Sequence, residues 1–536
     1  MQKNTATHAY LPDERPPLGK LLLYALQQVI VMFPATIAVA LITGFQVSTT
    51  IFASGLATLC FVLITKGKIP MYYGSSFSYL TAVISLMTSQ QITDKLSPEA
   101  LTQLTAWLDK TTSVMPAEAI AFAQFGIIMS GLVSIVAGIL VRVSGKNVVE
   151  KILPPTITGS IALVIGLTLA GVALGDAAPK ALPVNAIAES GKSFINSLSG
   201  FGDLNIISQT IKDALATIGV GAVAAYEATA PAPTIMSSSW VWVVSISTLL
   251  STILFSRYLK GFLSQLPLLL GAAVGCAVAG LLYLFGGADM NMFRAIPKEA
   301  LDGSLWQAGG ILAVPAFTLP KASWAAIFAI MPIAIATIPE STAHIYQLDI
   351  YVNNVAKQKG KARYKIDELL HLNLIGDGIC DMVSGVVGGP AGTNYGENIS
   401  TMAITKVFSS AVMVAAAVIA MVVSFFTPLV QAIYAIPTAV IGGLEIYLFG
   451  AIAAQGIAIM IDKKADMFSS KNLAVIACIM IIALGGQYAF GGNINFFGLQ
   501  VPCIAGAAIT GILLNLILSI GEKKEKAQEE VKEMMP

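Results

Sequence analysis

Residues Gly376 to Lys406 read GDGICDMVSGVVGGPAGTNYGENISTMAITK. Long apolar stretches flank this segment on both sides, which sets it at membrane depth. It nevertheless carries Asp377, Asp381 and Glu397, and the run from Gly385 to Gly396 holds too much Gly and Pro for a plain helix. Irregular backbone inside a bilayer leaves N–H and C=O groups unpaired, and survives only where protein buries it or where it lines a cavity. An acid beside such a break marks a substrate site. A purely structural re-entrant turn, with Glu397 as a satisfied cap, is the competing reading. The site reading is preferred.

Composition agrees with a membrane location. Of 536 residues, 56% are hydrophobic and 11% charged, against about 25% charged in soluble domains. The apolar residues come in runs of roughly 20, each able to span the hydrocarbon core. The chain is therefore an all-α polytopic membrane protein. The net charge of +1 says little, because the charges collect in loops, and no basic stretch points to nucleic acid. Cys60, Cys276, Cys380, Cys478 and Cys503 lie in apolar segments without metal or redox spacing. They read as core thiols, and no metal or cofactor is expected. Residues 1–17 are polar and the next apolar run is long enough to remain as a helix, so no signal peptide is expected.

About fourteen membrane segments are expected, near 18–42, 47–65, 74–90, 118–141, 153–175, 240–256, 262–286, 322–348, 368–388, 395–422 (two segments), 430–461, 472–490 and 498–520. The third segment, and the one after Tyr395, are expected as half-length helices. Lys66, Lys68, Arg142, Arg257, Lys260, the Lys357–Lys365 cluster and Lys463 fall in connections on one side. By the positive-inside rule that side is cytoplasmic, and both termini share it. Outer connections are long at 91–117, 176–239 and 288–320. The first has a weak amphipathic pattern around Leu101, Leu104 and Leu108.

A repeat runs through the chain. Pro154-Pro155-Thr156, followed by Gly159 and Gly166, opens the fifth segment; Pro437-Thr438, followed by Gly442, Gly443 and Gly450, opens the twelfth. A spacing of seven segments turns the second copy upside down, as in many secondary transporters. It divides the chain into a tail 1–17, a first repeat 18–287, an outer loop 288–321, a second inverted repeat 322–520 and a tail 521–536. Gly74-Ser75-Ser76-Phe77 then corresponds to Tyr395-Gly396-Glu397. Two Gly-interrupted starts at matching places point to a midplane binding site.

At these residues the chain resembles the uracil/xanthine permeases of the nucleobase–ascorbate transporter family, the bacterial uracil permeases most closely. The matching pieces are Arg15-Pro16-Pro17-Leu18, Met32-Phe33 with Ala35-Thr36, Lys66-Gly67-Lys68-Ile69-Pro70, Gly74 to Phe77, Pro339-Glu340 through His344, Tyr395-Gly396-Glu397-Asn398, and Ile436-Pro437 through Gly450. The resemblance implies a fourteen-segment, seven-plus-seven inverted repeat with core and gate domains. Short extended pieces would precede half-helices in segments 3 and 10, where the base would bind. It also implies elevator-like alternating access, usually in a homodimer, and proton symport of uracil in a bacterial-type plasma membrane. The sequence departs from the family at Gln27-Gln28, where Gln-His is usual. Ser400 stands where Gly is common, Phe449 where an aromatic hydroxyl is frequent, and Glu445 is an additional acid.

A nucleobase presents alternating N–H donors and C=O acceptors on a flat ring. Its site needs fixed acceptors, backbone donors and an apolar or aromatic face. Glu340 and Glu397 are the expected acceptors. Backbone near Phe77, Tyr395 and Gly396 donates, since helix starts leave N–H groups open. The rings of Phe77 and Tyr395 face the base, with Ala35, Phe449, Gln28 and Glu445 as further substrate-binding candidates. Glu340 and His344 share a helix face at i,i+4 and are within hydrogen-bonding reach. Ionising a carboxyl at the bilayer centre costs at least about 3 kcal/mol, so a proton and the substrate entering together is physically reasonable. This pair is the proton-coupling candidate. Asp377 and Asp381 would repel at the same spacing, so one is expected to cap a helix or face water. Xanthine or another purine is the alternative substrate. An anion exchanger or channel fits less well, because an anion site would want Arg or Lys where this chain has carboxylates. An enzyme is not supported, since there is no HExxH pair and no Ser nucleophile in a recognisable setting.

Overall fold

The computed structural model describes residues 9–108, 112–145, 153–180, 235–295, 311–496 and 499–533. Most of the outer connection expected at 176–239, and 296–310 of the next, lie outside the described residues. In chain order the elements of the first half are α1 (Leu18–Thr43), α2 (Val47–Ile64), β1 (Tyr73–Ser75), α3 (Leu80–Met87), α4 (Gln90–Thr93), α5 (Pro98–Leu108), α6 (Ala117–Ser144), α7 (Pro155–Thr168), α8 (Ala170–Ala177), α9 (Trp240–Tyr258) and α10 (Pro267–Gly286). The second half continues with α11 (Trp324–Ile330), α12 (Ala334–Gln358), α13 (Leu370–Val387), β2 (Gly392–Asn394), α14 (Gly396–Thr405), α15 (Ser410–Val423), α16 (Thr427–Tyr434), α17 (Thr438–Asp462), α18 (Ser470–Phe490), β3 (Asn493–Phe496), β4 (Leu499–Pro502) and α19 (Cys503–Glu533).

Eleven spans among the described residues are long and apolar enough for a full crossing, fewer than the fourteen expected. The difference has a local cause. Phe77–Met87 and Ser410–Val423 are apolar but short, and α14 has only 10 residues. Lys406 adopts a left-handed conformation, φ 58°, and ends α14 there. That turn separates the two segments that the 395–422 stretch had blurred together.

The helices sort into two groups. α1, α2, α6, α12, α13, α14 and α15 pack as one, and α7, α8, α9, α10, α17, α18 and α19 as the other. The inverted repeat is visible in the pairing. α6 lies against α13 in the way α2 lies against α15, and α7 against α17 bridges the two copies. Small residues allow this closeness: a Cβ at Gly131 would stand 2.3 Å from the Gly378 carbonyl oxygen, and one at Gly159 2.6 Å from that of Gly456. Close backbone approach through small residues is how membrane helices gain packing energy without a hydrophobic drive.

Within the first group, against α1, α2, α12 and α13, the two broken segments meet. β1 pairs antiparallel with β2, placing Tyr73 opposite Asn394, Gly74 opposite Thr393 and Ser75 opposite Gly392. Flanking bonds extend the ladder: the Ser76 N–H donates to the Ala391 carbonyl at 2.9 Å, and that of Tyr395 to the Tyr72 carbonyl at 3.0 Å. Each extended piece thus satisfies the other's backbone where no water can.

The outer connection at 91–117 contains α5. Its buried face is Ala100, Leu104 and Trp107, while Leu101 and Leu108 are exposed. Of the three expected leucines only Leu104 turns inward. The last crossing begins at Cys503, because the hairpin β3–β4 occupies the residues just before it.

Candidate functional site

A cavity of about 490 Å³ lies between the two helix groups, beside the paired strands. Phe77, Glu340, His344, Tyr395, Gly396, Glu397 and Ser400 line one wall. The facing wall is largely apolar, with Ala162 and Ile165 from α7 and Leu448, Ala451, Ile452 and Ile459 from α17, joined by Thr158, Gln265 and Gln455. The two glutamates arrive from different elements, Glu340 from α12 just after Pro339 and Glu397 from the first turn of α14. They are near enough to influence each other electrostatically. Among the described residues no Lys or Arg lines this cavity.

α14 starts abruptly after an extended Tyr395, so its first N–H groups have no partner one turn back. Its positive dipole end meets the same space. Fixed carboxyl acceptors, open backbone donors and a largely apolar opposite wall therefore surround one volume. Such a site suits a small, flat, polar ligand with donors and acceptors on its rim.

The expected Glu340–His344 hydrogen bond does not form. The imidazole is buried, it lies within reach of the Asn394 carbonyl, and its Nδ1 has no hydrogen-bond partner. Tyr395 lines the cavity, but its hydroxyl is used elsewhere, donating to the Ser75 carbonyl at 2.9 Å and meeting Thr36 Oγ1 at 3.0 Å. It braces the crossing strands.

Asp377 and Asp381 differ from expectation, since neither caps a helix end nor faces water. Both are buried. Asp381 Oδ1 accepts from Tyr73 Oη at 2.6 Å and from the Gly392 N–H at 2.7 Å, joining α13 to both strands. Asp377 accepts from Asn394 Nδ2 at 2.8 Å and from Ser341 Oγ, and Asn373 Nδ2 donates to that same Ser341 at 2.7 Å. Ser341 adjoins Glu340 and Asn394 adjoins Tyr395. This polar knot fixes both edges of the site from behind.

Four candidates stand away from the cavity wall. Ala35 is buried within α1. Gln28, also buried, takes a hydrogen bond from Asn398. On α17 the cavity row is Leu448, Ile452, Gln455 and Ile459. Phe449 and Glu445 belong to the neighbouring buried row of Gly442, Glu445, Phe449, Ala453 and Gly456. Phe449 packs with Val39, Ile42, Leu80 and Leu169. Among the lining residues that escaped the sequence reading are Gln265, Gln347 and Gln455. Gln347 lies three residues beyond His344, so extending the Glu340–His344 face by one turn would have found it.

The Permease family model Xan_ur_permease matches residues 19–198 and 210–492. The chain belongs to the Permease family. Among relatives of this permease, a uracil permease from Bacillus caldolyticus is 31% identical over 512 residues, covering 94% of each chain. The uracil permease of Bacillus subtilis (strain 168) is 29% identical, covering 94% of this chain and 93% of its own. A putative pyrimidine permease, RutG, of Escherichia coli (strain K12) is also 29% identical, with 96% and 94% covered. Solved structures share the fold at low identity. SLC26A9 superposes with a TM-score of 0.54 at 13% identity, over 94% of this chain, which spans 65% of that one. The murine Slc26a9 anion transporter in its inward-facing state gives 0.52, also at 13% identity, with 96% and 70% covered. These show the shared fold, while the family and its curated relatives are permeases and not enzymes.

Proposed function

We propose that this permease imports a nucleobase, uracil foremost, in symport with protons, by alternating access in which the core group moves elevator-fashion against the gate group. The proposal includes a homodimer in a bacterial-type plasma membrane with both termini cytoplasmic, supported by the Lys and Arg asymmetry and by the resemblance. The observation that carries it is the meeting of Glu340 and Glu397 in one cavity beside the open start of α14. Uracil offers two ring N–H groups to carboxyl acceptors and two carbonyls to backbone donors. The uracil and pyrimidine permeases among its relatives support the same class of cargo. Glu340 is the proposed coupling site, with His344 beside it as a tuning or relay group.

A purine such as xanthine is the second reading. The cavity volume admits it, since about 490 Å³ has room for a two-ring base as well as a one-ring base. An anion exchanger on the shared fold has less support, because the described cavity wall carries carboxyls and no fixed cation. Competition uptake of labelled uracil against unlabelled uracil, thymine, xanthine, hypoxanthine and adenine separates these readings. Competition by uracil and thymine alone supports a pyrimidine carrier, competition by xanthine and hypoxanthine a purine carrier, and no uptake of any base contradicts both.

A further inference from the structure

The cavity runs along α7 and the later part of α17, and past the start of α17 the bundle is closed around Arg294. α17 lines the cavity from Leu448 to Ile459, whereas Glu445 lies one turn before Leu448, toward the start of the helix, and Asp176 at the end of α8. Glu445 and Ile459 stand about 21 Å apart along the helix axis. Arg294 Nη2 donates to Ser113 Oγ, on the stretch that leads into α6. Its backbone N–H donates to the Ala435 carbonyl at 3.1 Å, in the link between α16 and α17. Asp176 shares a small recess with Arg294, Thr112 and Ser113, and Asp176, Tyr434 and Glu445 act electrostatically on the guanidinium. Tyr434 itself is fastened to α2, accepting from the Val47 N–H at 2.9 Å and donating to Gln46 Oε1 at 3.3 Å.

The charges and the hydroxyls around Arg294 come from different groups of helices. Asp176 and Glu445 belong to the gate group, where α8 and α17 touch so closely that a Cβ at Gly442 would stand 2.2 Å from the Ala177 nitrogen. Ser113 leads into α6 of the core group, and Tyr434 is tied to α2 of the same group. A half-buried guanidinium is favoured by acids close by, because a charge partly withdrawn from water is costly without opposite charge near it. A hydroxyl partner is cheaper to exchange for water. One side of the contact is therefore fixed and the other releasable.

We propose that Arg294 is the latch of the closed face, releasing Ser113 when the core group slides, with Asp176 and Glu445 as positioning residues that keep the guanidinium paired throughout. The proposal rests on the alternating-access reading given above and assigns Arg294 and Glu445 no contact with substrate. Removing the latch favours the state in which the closed face is open, at the expense of the state with the α17 cavity exposed.

Cysteine accessibility in substrate-free membranes tests this, with the same protein lacking the added cysteine as background. Gln455→Cys reports the cavity in inverted vesicles, and Thr112→Cys reports the closed face from the opposite side. In an Arg294→Gln background, labelling at Thr112→Cys should accelerate about tenfold, the size of one lost charge-assisted hydrogen bond. Labelling at Gln455→Cys should slow at least about twofold. Local loosening around Arg294 would not produce that distant change. Ser113→Ala should shift both rates in the same directions and serves if Arg294→Gln fails to fold; Arg294→Lys should stay near the wild type. Unchanged labelling at Gln455→Cys in both Arg294→Gln and Ser113→Ala would overturn the latch. Since no base is present, that outcome leaves the question of cargo to the uptake assay.

Discussion

Asn398 Nδ2 donates to Gln28 Oε1 at 2.7 Å and to the Gln28 carbonyl at 3.0 Å, with both residues buried. The bond ties α14 to α1 one residue beyond Glu397. Gln28 thus holds the half-helix that presents the acid, without touching the cavity. Gln28→Ala and Asn398→Ala should each lower stability by about 1–2 kcal/mol. The double variant should lose less than the sum, because both remove one interaction. Thermal unfolding of the four proteins in detergent checks this.

Gly396 packs under the His344 ring, and a Cβ there would stand 2.9 Å from Nε2. Gly396→Ala should therefore fold but displace either the imidazole or the start of α14. Substrate affinity should fall about tenfold or more while the melting temperature changes little, as ligand binding and thermal unfolding would show. Restoring room with His344→Ala in the same chain should recover part of that affinity.

The two cavity glutamates should fail differently. Glu397→Gln keeps the shape and loses a charge-assisted acceptor, weakening binding by about 1.5–3 kcal/mol. Glu340→Gln should leave binding measurable and abolish accumulation driven by a proton gradient. Continued concentrative uptake by Glu340→Gln would remove it from the coupling role.

The sequence reading found the break at Gly385–Gly396 and its partner at Gly74 because backbone irregularity at membrane depth has few explanations. It paired Glu340 with His344 by helix spacing and marked Glu397 by the Gly-interrupted start, while the resemblance to the uracil/xanthine permeases brought the two together. It missed the polar knot behind the site. Asp377 and Asp381 look mutually repulsive along one helix, and only the crossing strands supply Asn394, Tyr73 and the Gly392 N–H as their partners. It also brought Phe449 and Glu445 to the wrong row of α17. An apolar helix buried on several sides carries no amphipathic signal to say which row meets a cavity. Half-length α14 and α15 were blurred because apolar content continues across the turn at Lys406.

Outside the membrane, the N-terminal segment is strapped to the 359–367 loop. Glu14 meets Lys359 at 2.5 Å and Lys361 at 2.9 Å, and accepts from the Leu11 N–H at 2.9 Å. Burial alone would raise its carboxyl, but these hydrogen bonds outweigh it and hold it at about 2, against an ordinary 4.5. A depressed carboxyl stabilises the fold fully above its unfolded value and loses that contribution as pH falls through the folded one. The wild type should therefore melt higher than Glu14→Gln near neutral pH. The gap should shrink between pH 4.5 and about 2 and close below it. A gap that stayed constant across this window would show that it does not arise from the ionised Glu14 carboxylate.

The most direct test of the account is uptake by the purified protein in liposomes. With an inward proton gradient imposed across the membrane, labelled uracil should accumulate above its external concentration. Dissipating the gradient with a protonophore should bring the internal level back to equilibrium. Uracil that only equilibrates, or that accumulates equally without the gradient, would contradict proton-coupled nucleobase import by this permease.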